Sequence, residues 1–146
     1  MTWKNEKKSK ALLVVFGIYL ALLAWCILFK FALRPEEIPH LRGINLIPYA
    51  ASVVVNGKVQ ISEIIENMLV FLPFGLCISA FYPDSEIQNR ILLASGLSLF
   101  FEVTQYIFAI GASDITDVID NTLGAVIGIL SVSYTHLRAH ETSLHL

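Results

Sequence analysis

The chain is poor in charged residues. Asp, Glu, Lys and Arg make up 15% of its 146 residues, whereas 55% of the residues are hydrophobic. A soluble domain carries roughly 25% charged residues, so the composition excludes an ordinary soluble domain and predicts a membrane protein with one compact domain. The net charge is −2, and no basic stripe follows the first ten residues. Nucleic acid is therefore excluded as a partner, because it is bound chiefly through lysine and arginine.

The chain also has few cysteines. Its two cysteines, Cys26 and Cys77, both lie in apolar runs. We interpret them as small buried hydrophobic residues and not as a disulfide. No metal and no cofactor are predicted.

Four segments are long and apolar enough to cross a membrane, which takes about 20 residues for ~30 Å of hydrocarbon. They are residues 11–33, 64–82, 91–110 and 118–134. The first is too long for a cleaved signal and no Ala-x-Ala-like site follows it, so it is expected to be a retained anchor. The last three segments are joined by short loops. The predicted fold class is therefore an all-α integral membrane protein with about four transmembrane helices, the last three forming an antiparallel bundle.

The distribution of lysine and arginine predicts the orientation. Residues 1–10 contain four lysines, whereas residues 111–117 contain no lysine or arginine. The excess of positive charge marks the cytoplasmic side, so we expect a cytoplasmic basic N-terminus and an outside third loop. Residues 11–132 form the predicted transmembrane domain. The polar, histidine-rich residues 133–146 are interpreted as a non-native tail.

Polar side chains concentrate in the predicted outer half of the last three helices. Ionisable groups inside a bilayer are costly and usually face a bundle interior or a water-filled cavity. Glu102 lies about 12 Å from the end of its segment at ~1.5 Å per residue, which predicts an acidic vestibule that narrows to this carboxyl. The candidate ligand-binding residues are Glu66, Asn67, Glu102, Gln105, Asp117, Asp120 and Asn121.

Some of these acids have an ordinary structural explanation. Glu63 and Glu66 in the first turn of one helix, and Asp114 and Asp117 at the start of another, complement the helix dipole. The spacing of Asp114 and Asp117 also predicts an N-cap. Glu102 has no such explanation, which favours a functional role or a buried network.

Glycine and proline mark the predicted packing positions. Gly124 and Gly128 are spaced for close helix approach. Pro73, followed by Gly75, predicts a kink in the second helix because proline removes a donor and clashes with a carbonyl. The long first connection contains an Asn56-Gly57 turn signal, and its apolar stretch at residues 45–49 is expected in the membrane interface.

Four motifs resemble the VanZ-like family of small bacterial membrane proteins. In order they are Asn45-Leu-Ile-Pro-Tyr49, Glu66-Asn-Met-Leu-Val-Phe-Leu-Pro-Phe-Gly75, Glu102-Val-Thr-Gln105 and Asp117-Val-Ile-Asp-Asn-Thr-Leu-Gly124. The resemblance covers roughly residues 45–128, and its pattern carries over onto Asn67, Pro73, Gly75, Glu102, Gln105, Asp117, Asp120, Asn121 and Gly124. The resemblance implies a multi-pass protein of the bacterial cell membrane. The family is named for a protein giving low-level teicoplanin resistance. The family's last helix continues hydrophobic beyond Gly128, whereas this chain turns polar.

The preferred interpretation is an outward-facing acidic and amide pocket that lowers sensitivity to glycopeptide or lipopeptide antibiotics. Besides the lipid bilayer, its expected partner is a cationic ligand or an envelope lipid intermediate, with the oligomeric state left open. One alternative is a metal-dependent enzyme in which Glu66, Asp117 and Asp120 hold a divalent cation that activates water against a lipid-linked phosphate. The motifs lack a histidine, a serine nucleophile or an arginine clamp, which argues against it. A second alternative is a proton- or ion-coupled transporter subunit using Glu102.

Overall fold

Four helices dominate the computed structural model. It describes residues 3–30, 32, 34–38, 40, 42–50, 54–55, 58–59 and 61–144. The helices are α1 (Trp3–Phe29), α2 (Ile61–Phe81), α3 (Ile87–Phe108) and α4 (Ile115–Leu144). Each contains a stretch long and apolar enough to cross a membrane, with mean hydropathy between 1.5 and 2.7. The protein is therefore an all-α integral membrane protein, as the composition and the apolar segments predict.

The observed helices begin earlier than the predicted segments. The structure starts α2 at Ile61, α3 at Ile87 and α4 at Ile115, each about one turn before the predicted start. The reason is that polar first turns belong to these helices, whereas the prediction followed the apolar stretches. Helix α4 is continuous through Leu144 and so includes most of the segment interpreted as a tail.

Glycine contacts hold α2 and α4 together as the most extensive helix pair. A Cβ atom at Gly75 would overlap the backbone of Ala125, and one at Gly124 would overlap the backbone of Met68. Gly128 meets the backbone of Leu72 in the same way. The absence of side chains at these three positions thus lets two backbones touch, which is how helices pack closely in membranes. Helix α2 is continuous through Pro73.

The core consists of aromatic and aliphatic side chains contributed by all four helices. Phe71 is fully buried and makes edge-to-face contacts with Phe74 and Phe101. Leu23 of α1 and Ala125 of α4 belong to the same cluster. Helix α1 exposes much of its apolar surface, which a bilayer covers without cost.

Two small sheets lie at one end of the bundle, and the sequence did not predict them. Strand β1 (Arg42–Asn45) pairs in parallel with β4 (Gly111–Asp114), so the first connection is joined to the third. Strands β2 (Val54–Val55) and β3 (Lys58–Val59) pair antiparallel. They flank the predicted Asn56-Gly57 turn, which itself lies outside the described residues. We call this end, where α1 and α3 finish and α2 and α4 begin, the polar end.

Candidate functional site

A cavity at the polar end collects charged and amide side chains from three helices. It has a volume of about 160 Å³. We call it the polar pocket, and it is lined by Cys26, Ile27, Lys30, Glu63, Glu66, Asn67, Asp117 and Asn121. Four of the predicted ligand-binding residues are therefore brought together here, namely Glu66, Asn67, Asp117 and Asn121.

Asp117 connects three helices in the wall of the polar pocket. One carboxylate oxygen, Oδ1, accepts a hydrogen bond of 2.9 Å from Asn67 Nδ2 on α2. The other, Oδ2, lies 3.4 Å from the ammonium group of Lys30, which follows α1. Asp117 is in the first turn of α4, where a negative charge is also favoured by the helix dipole. Asp117 therefore both complements the dipole of α4 and lines the polar pocket.

Lys30 is the positive charge of the polar pocket, although the sequence analysis did not select it. About half of its side chain, 47%, is exposed. Burial of the ammonium group acts to lower the pKa of Lys30, but the nearby carboxylates of Asp117 and Glu102 outweigh it and hold that pKa above its ordinary value. Lys30 therefore stays charged at neutral pH.

Asn121 forms a buried part of the pocket lining. Its side chain is fully buried, and Nδ2 donates a hydrogen bond of 2.9 Å to Ser98 Oγ on α3. Its Oδ1 atom has no hydrogen-bond partner among the described residues. A buried carbonyl without a donor is costly, so this oxygen favours a ligand or a water that brings an N–H or O–H group.

The stretch at residues 45–49 folds onto the start of α4. Asn45 Nδ2 donates to Asp114 Oδ2 at 2.9 Å. The backbone N–H of Tyr49 donates to Thr116 Oγ1, and its hydroxyl donates to Asp120 Oδ1, both at 2.9 Å. Burial and the hydrogen bond to Asp120 raise the pKa of Tyr49, so its hydroxyl remains a donor.

The N-cap prediction for Asp114 is confirmed. Its Oδ1 accepts a hydrogen bond of 2.8 Å from the backbone N–H of Thr116, the second residue of α4. This is the contact of an N-cap side chain. Asp114 also fixes Asn45 through its other oxygen, so the cap joins the first connection to α4.

Glu102 lies beneath strand β4 and not in the polar pocket. Its Oε2 accepts a hydrogen bond of 2.7 Å from the backbone N–H of Asp114, and its own carbonyl accepts one of 2.9 Å from Ser113 Oγ. Glu102 borders a separate cavity of about 50 Å³ together with Asn45. Since α3 ends at Phe108, the carboxyl is roughly 9 Å from the helix end at ~1.5 Å per residue. The chain after α3 thus folds back along the helix as far as Glu102, whose carboxyl group accepts a hydrogen bond from the backbone of that segment.

Gln105 and Asp120 also lie outside the polar pocket lining. Gln105 Nε2 donates to the carbonyl of Ile27 at 2.9 Å and so joins α3 to α1. Asp120 faces the hydroxyl of Tyr49. Of the seven predicted residues, four therefore line the pocket, and Glu102, Gln105 and Asp120 each contact a different partner outside it.

Several buried acceptors at this end of the protein lack a donor among the described residues. Among the described residues, four buried side-chain oxygens have no hydrogen-bond partner: Glu102 Oε1, Gln105 Oε1, Asp120 Oδ2 and Asn121 Oδ1. Of the three carboxylates suggested as metal ligands, Glu66 and Asp117 line the polar pocket, whereas Asp120 faces the hydroxyl of Tyr49. In the described part of the chain, no three His, Cys, Asp or Glu side chains are grouped to hold a metal ion.

Several residues of this end were not predicted from the sequence. Asn45 and Tyr49 stood in a recognised motif, which was the signal available for them. Thr116 and Lys30 carried no local signal, because their importance comes from residues far away in the sequence, at Tyr49 and Asp117.

These features define a class: a four-helix membrane protein with a small acidic and amide pocket at one end of the bundle. Comparison with known proteins gives the family. The VanZ/LLP1 family model matches residues 16–136, and the chain belongs to this VanZ-like family. It is similar to Protein VanZ of Enterococcus faecium, with 38% identity over 117 residues, which cover 79% of this chain and 69% of the relative. No solved structure matches the chain.

Proposed function

We propose that this protein lowers bacterial sensitivity to glycopeptide or lipopeptide antibiotics by binding an envelope component in the polar pocket. Membership of the VanZ-like family and the 38% identity to Protein VanZ support the general function. The observation that carries the pocket assignment is the convergence of Asn67 of α2, Asp117 of α4 and Lys30, which follows α1, around one cavity.

The lining favours a ligand that supplies positive charge or hydrogen-bond donors. Glu63, Glu66 and Asp117 contribute three carboxylates against the one ammonium of Lys30, and Asn121 Oδ1 has no donor among the described residues. Water-excluded acceptors are stabilised most by charged donors. The ligand we propose therefore presents an ammonium or amide N–H group to this cavity.

The cavity volume limits the size of the bound group. Sites for drug-sized molecules have volumes of roughly 300–1,000 Å³, whereas the polar pocket has about 160 Å³. A whole glycopeptide does not fit. A terminal amino or amide group of an envelope lipid intermediate does, with the rest of that molecule lying outside the pocket.

The proposed orientation places the polar end outside the cell. It follows from the lysine-rich N-terminus at the opposite end and from the absence of lysine and arginine in residues 111–117. Glycopeptides act on cell-wall precursors on that side of the membrane, so the pocket would meet the same molecules. Asp120 faces the hydroxyl of Tyr49, apart from Glu66 and Asp117 in the polar pocket, which gives the metal-dependent enzyme less support.

The test is antibiotic susceptibility of a bacterium that expresses the chain, with membrane abundance measured in parallel. We expect Glu66→Gln and Asp117→Asn, which delete pocket charge with little change of volume, to abolish protection against teicoplanin at normal abundance. Asp84→Asn is the matched control, because Asp84 is an exposed acid at the other end of the bundle. Full protection by both pocket variants would refute the proposal. Restoration of a lost phenotype by added Mg²⁺ or Mn²⁺ would favour the enzyme instead.

A further inference from the structure

A buried arginine lies at the opposite end of the bundle, where α2 finishes and α3 begins. Arg90 is in the first turn of α3 and is only 7% exposed. Its Nη2 atom donates to the carbonyls of Pro83 and Ser85, both at 2.6 Å, and Nη1 lies 3.4 Å from Ser79 Oγ. Its Nε atom has no hydrogen-bond partner among the described residues.

The contacts of Arg90 leave its charge without a counter-ion. In the part of the chain that the structure describes, no carboxylate forms an ion pair with it, and the ion pair observed there joins Lys30 to Asp117 at the other end. A buried cation without an anion is costly. The two loop carbonyls accept the hydrogen bonds of one guanidinium nitrogen, Nη2, and they leave Nε without an acceptor among the described residues.

Arg90 borders a cavity that has both a polar and an apolar part. The cavity has a volume of about 250 Å³, and Ser85 and Asn89 stand beside Arg90 in its wall. Its remaining wall consists of Ile78, Tyr82 and Leu93.

The same three residues also line an apolar groove between α1, α2 and α3, with a volume of about 420 Å³. Phe16, Leu20 and Phe74 form other parts of the groove wall. The cavity beside Arg90, which is polar and cationic, is therefore continuous with the apolar groove.

We propose that this composite cavity, which we call the Arg90 site, binds an anionic phospholipid of the surrounding membrane. The phosphate group lies against the guanidinium, whose planar set of donors matches phosphate oxygens. One acyl chain lies in the apolar groove. A phospholipid fits because the groove is walled by membrane-spanning helices and is reached from the bilayer. A peptide at this depth would leave backbone groups without partners.

The Arg90 site does not depend on the function of the polar pocket or on which side of the membrane it faces. Its ligand follows from a charge, a cavity and an apolar groove that are continuous with one another. The inference therefore stands or fails independently of antibiotic protection.

The test uses the full chain purified in detergent and native mass spectrometry with added lipid. We expect phosphatidylglycerol to be retained about tenfold better than phosphatidylcholine of the same acyl composition, because both lipids carry the phosphate but the choline cation of the second offsets its negative charge beside Arg90. Arg90→Gln removes the positive charge but keeps a hydrogen-bond donor, and this preference should fall to near unity.

A second pair of variants separates lipid binding from folding. Leu93→Trp fills the place where the cavity and the groove meet, whereas Leu92→Trp adds the same ring at an exposed neighbouring position that lines neither. Leu93→Trp should lose retained phosphatidylglycerol and Leu92→Trp should not, with equal helix content by circular dichroism. Equal retention of both lipids by the unmodified protein, or normal retention by Leu93→Trp, would overturn the proposal.

Discussion

Alanine at Gly124 is expected to destabilise the bundle although alanine is the better helix former. The added Cβ would overlap the backbone of Met68 on α2. A backbone cannot rotate aside as a side chain does, so the two helices must separate. Overpacking of this kind costs about 1–3 kcal/mol, and the helix propensity of alanine returns at most about 1 kcal/mol. Because the overlap is with backbone, we expect a cost at the upper end of this range and a net loss of roughly 2 kcal/mol in the free energy of unfolding.

Gly96→Ala is the matched control on another helix. No atom lies within 4 Å of the position that its Cβ would occupy. This variant should therefore gain about 0.5–1 kcal/mol from helix propensity alone. Unfolding of both variants in mixed micelles, titrated with a denaturing detergent and followed by circular dichroism, gives the two free energies. Equal stability of Gly124→Ala and the unmodified protein would refute the close contact between α2 and α4.

The same substitution also tests how the packing positions the polar pocket. Met68 is adjacent in sequence to Asn67, whose amide donates to Asp117 at 2.9 Å. Separating α2 from α4 at Gly124 should lengthen this bond. We therefore expect Gly124→Ala to weaken antibiotic protection at equal membrane abundance, and Gly96→Ala to leave it unchanged.

Three further predictions concern the polar end. Because its pKa is raised, the Lys30 ammonium should stay protonated up to and beyond the ordinary lysine value of about 10.4 and lose its ion pair only above it, as ¹⁵N NMR of labelled lysine would report. Tyr49→Phe removes a donor from a buried carboxylate and should cost about 1–3 kcal/mol of unfolding free energy, whereas the exposed Tyr82→Phe should cost little; equal losses would contradict the assigned hydrogen bond. In a cysteine-free background, Ala112→Cys should react with an impermeant thiol reagent on intact cells and Asp84→Cys only after permeabilisation; the reverse result would invert the proposed orientation.

The sequence by itself determined the class of protein and much of its local structure. Apolar length predicted four helices because each must cover ~30 Å of hydrocarbon with its own backbone bonded internally. The N-cap role of Asp114 followed from local spacing, since a cap is bonded to a residue two positions away. The VanZ-like motifs likewise identified the family. These results needed only residues that are close in sequence or the motif pattern of a known family.

The tertiary structure alone decided how the polar residues are grouped. The sequence suggested one vestibule that narrows to Glu102, but helix rotation and the fold of the connections separate Glu102 beneath β4 from Asp117 in the polar pocket. Lys30 and Tyr49 became part of the polar end through partners 87 and 71 residues away. Helical periodicity fixes which face of the helix a side chain occupies. The residue that this side chain contacts depends on which neighbouring helix the face is turned toward and on which connection folds against it.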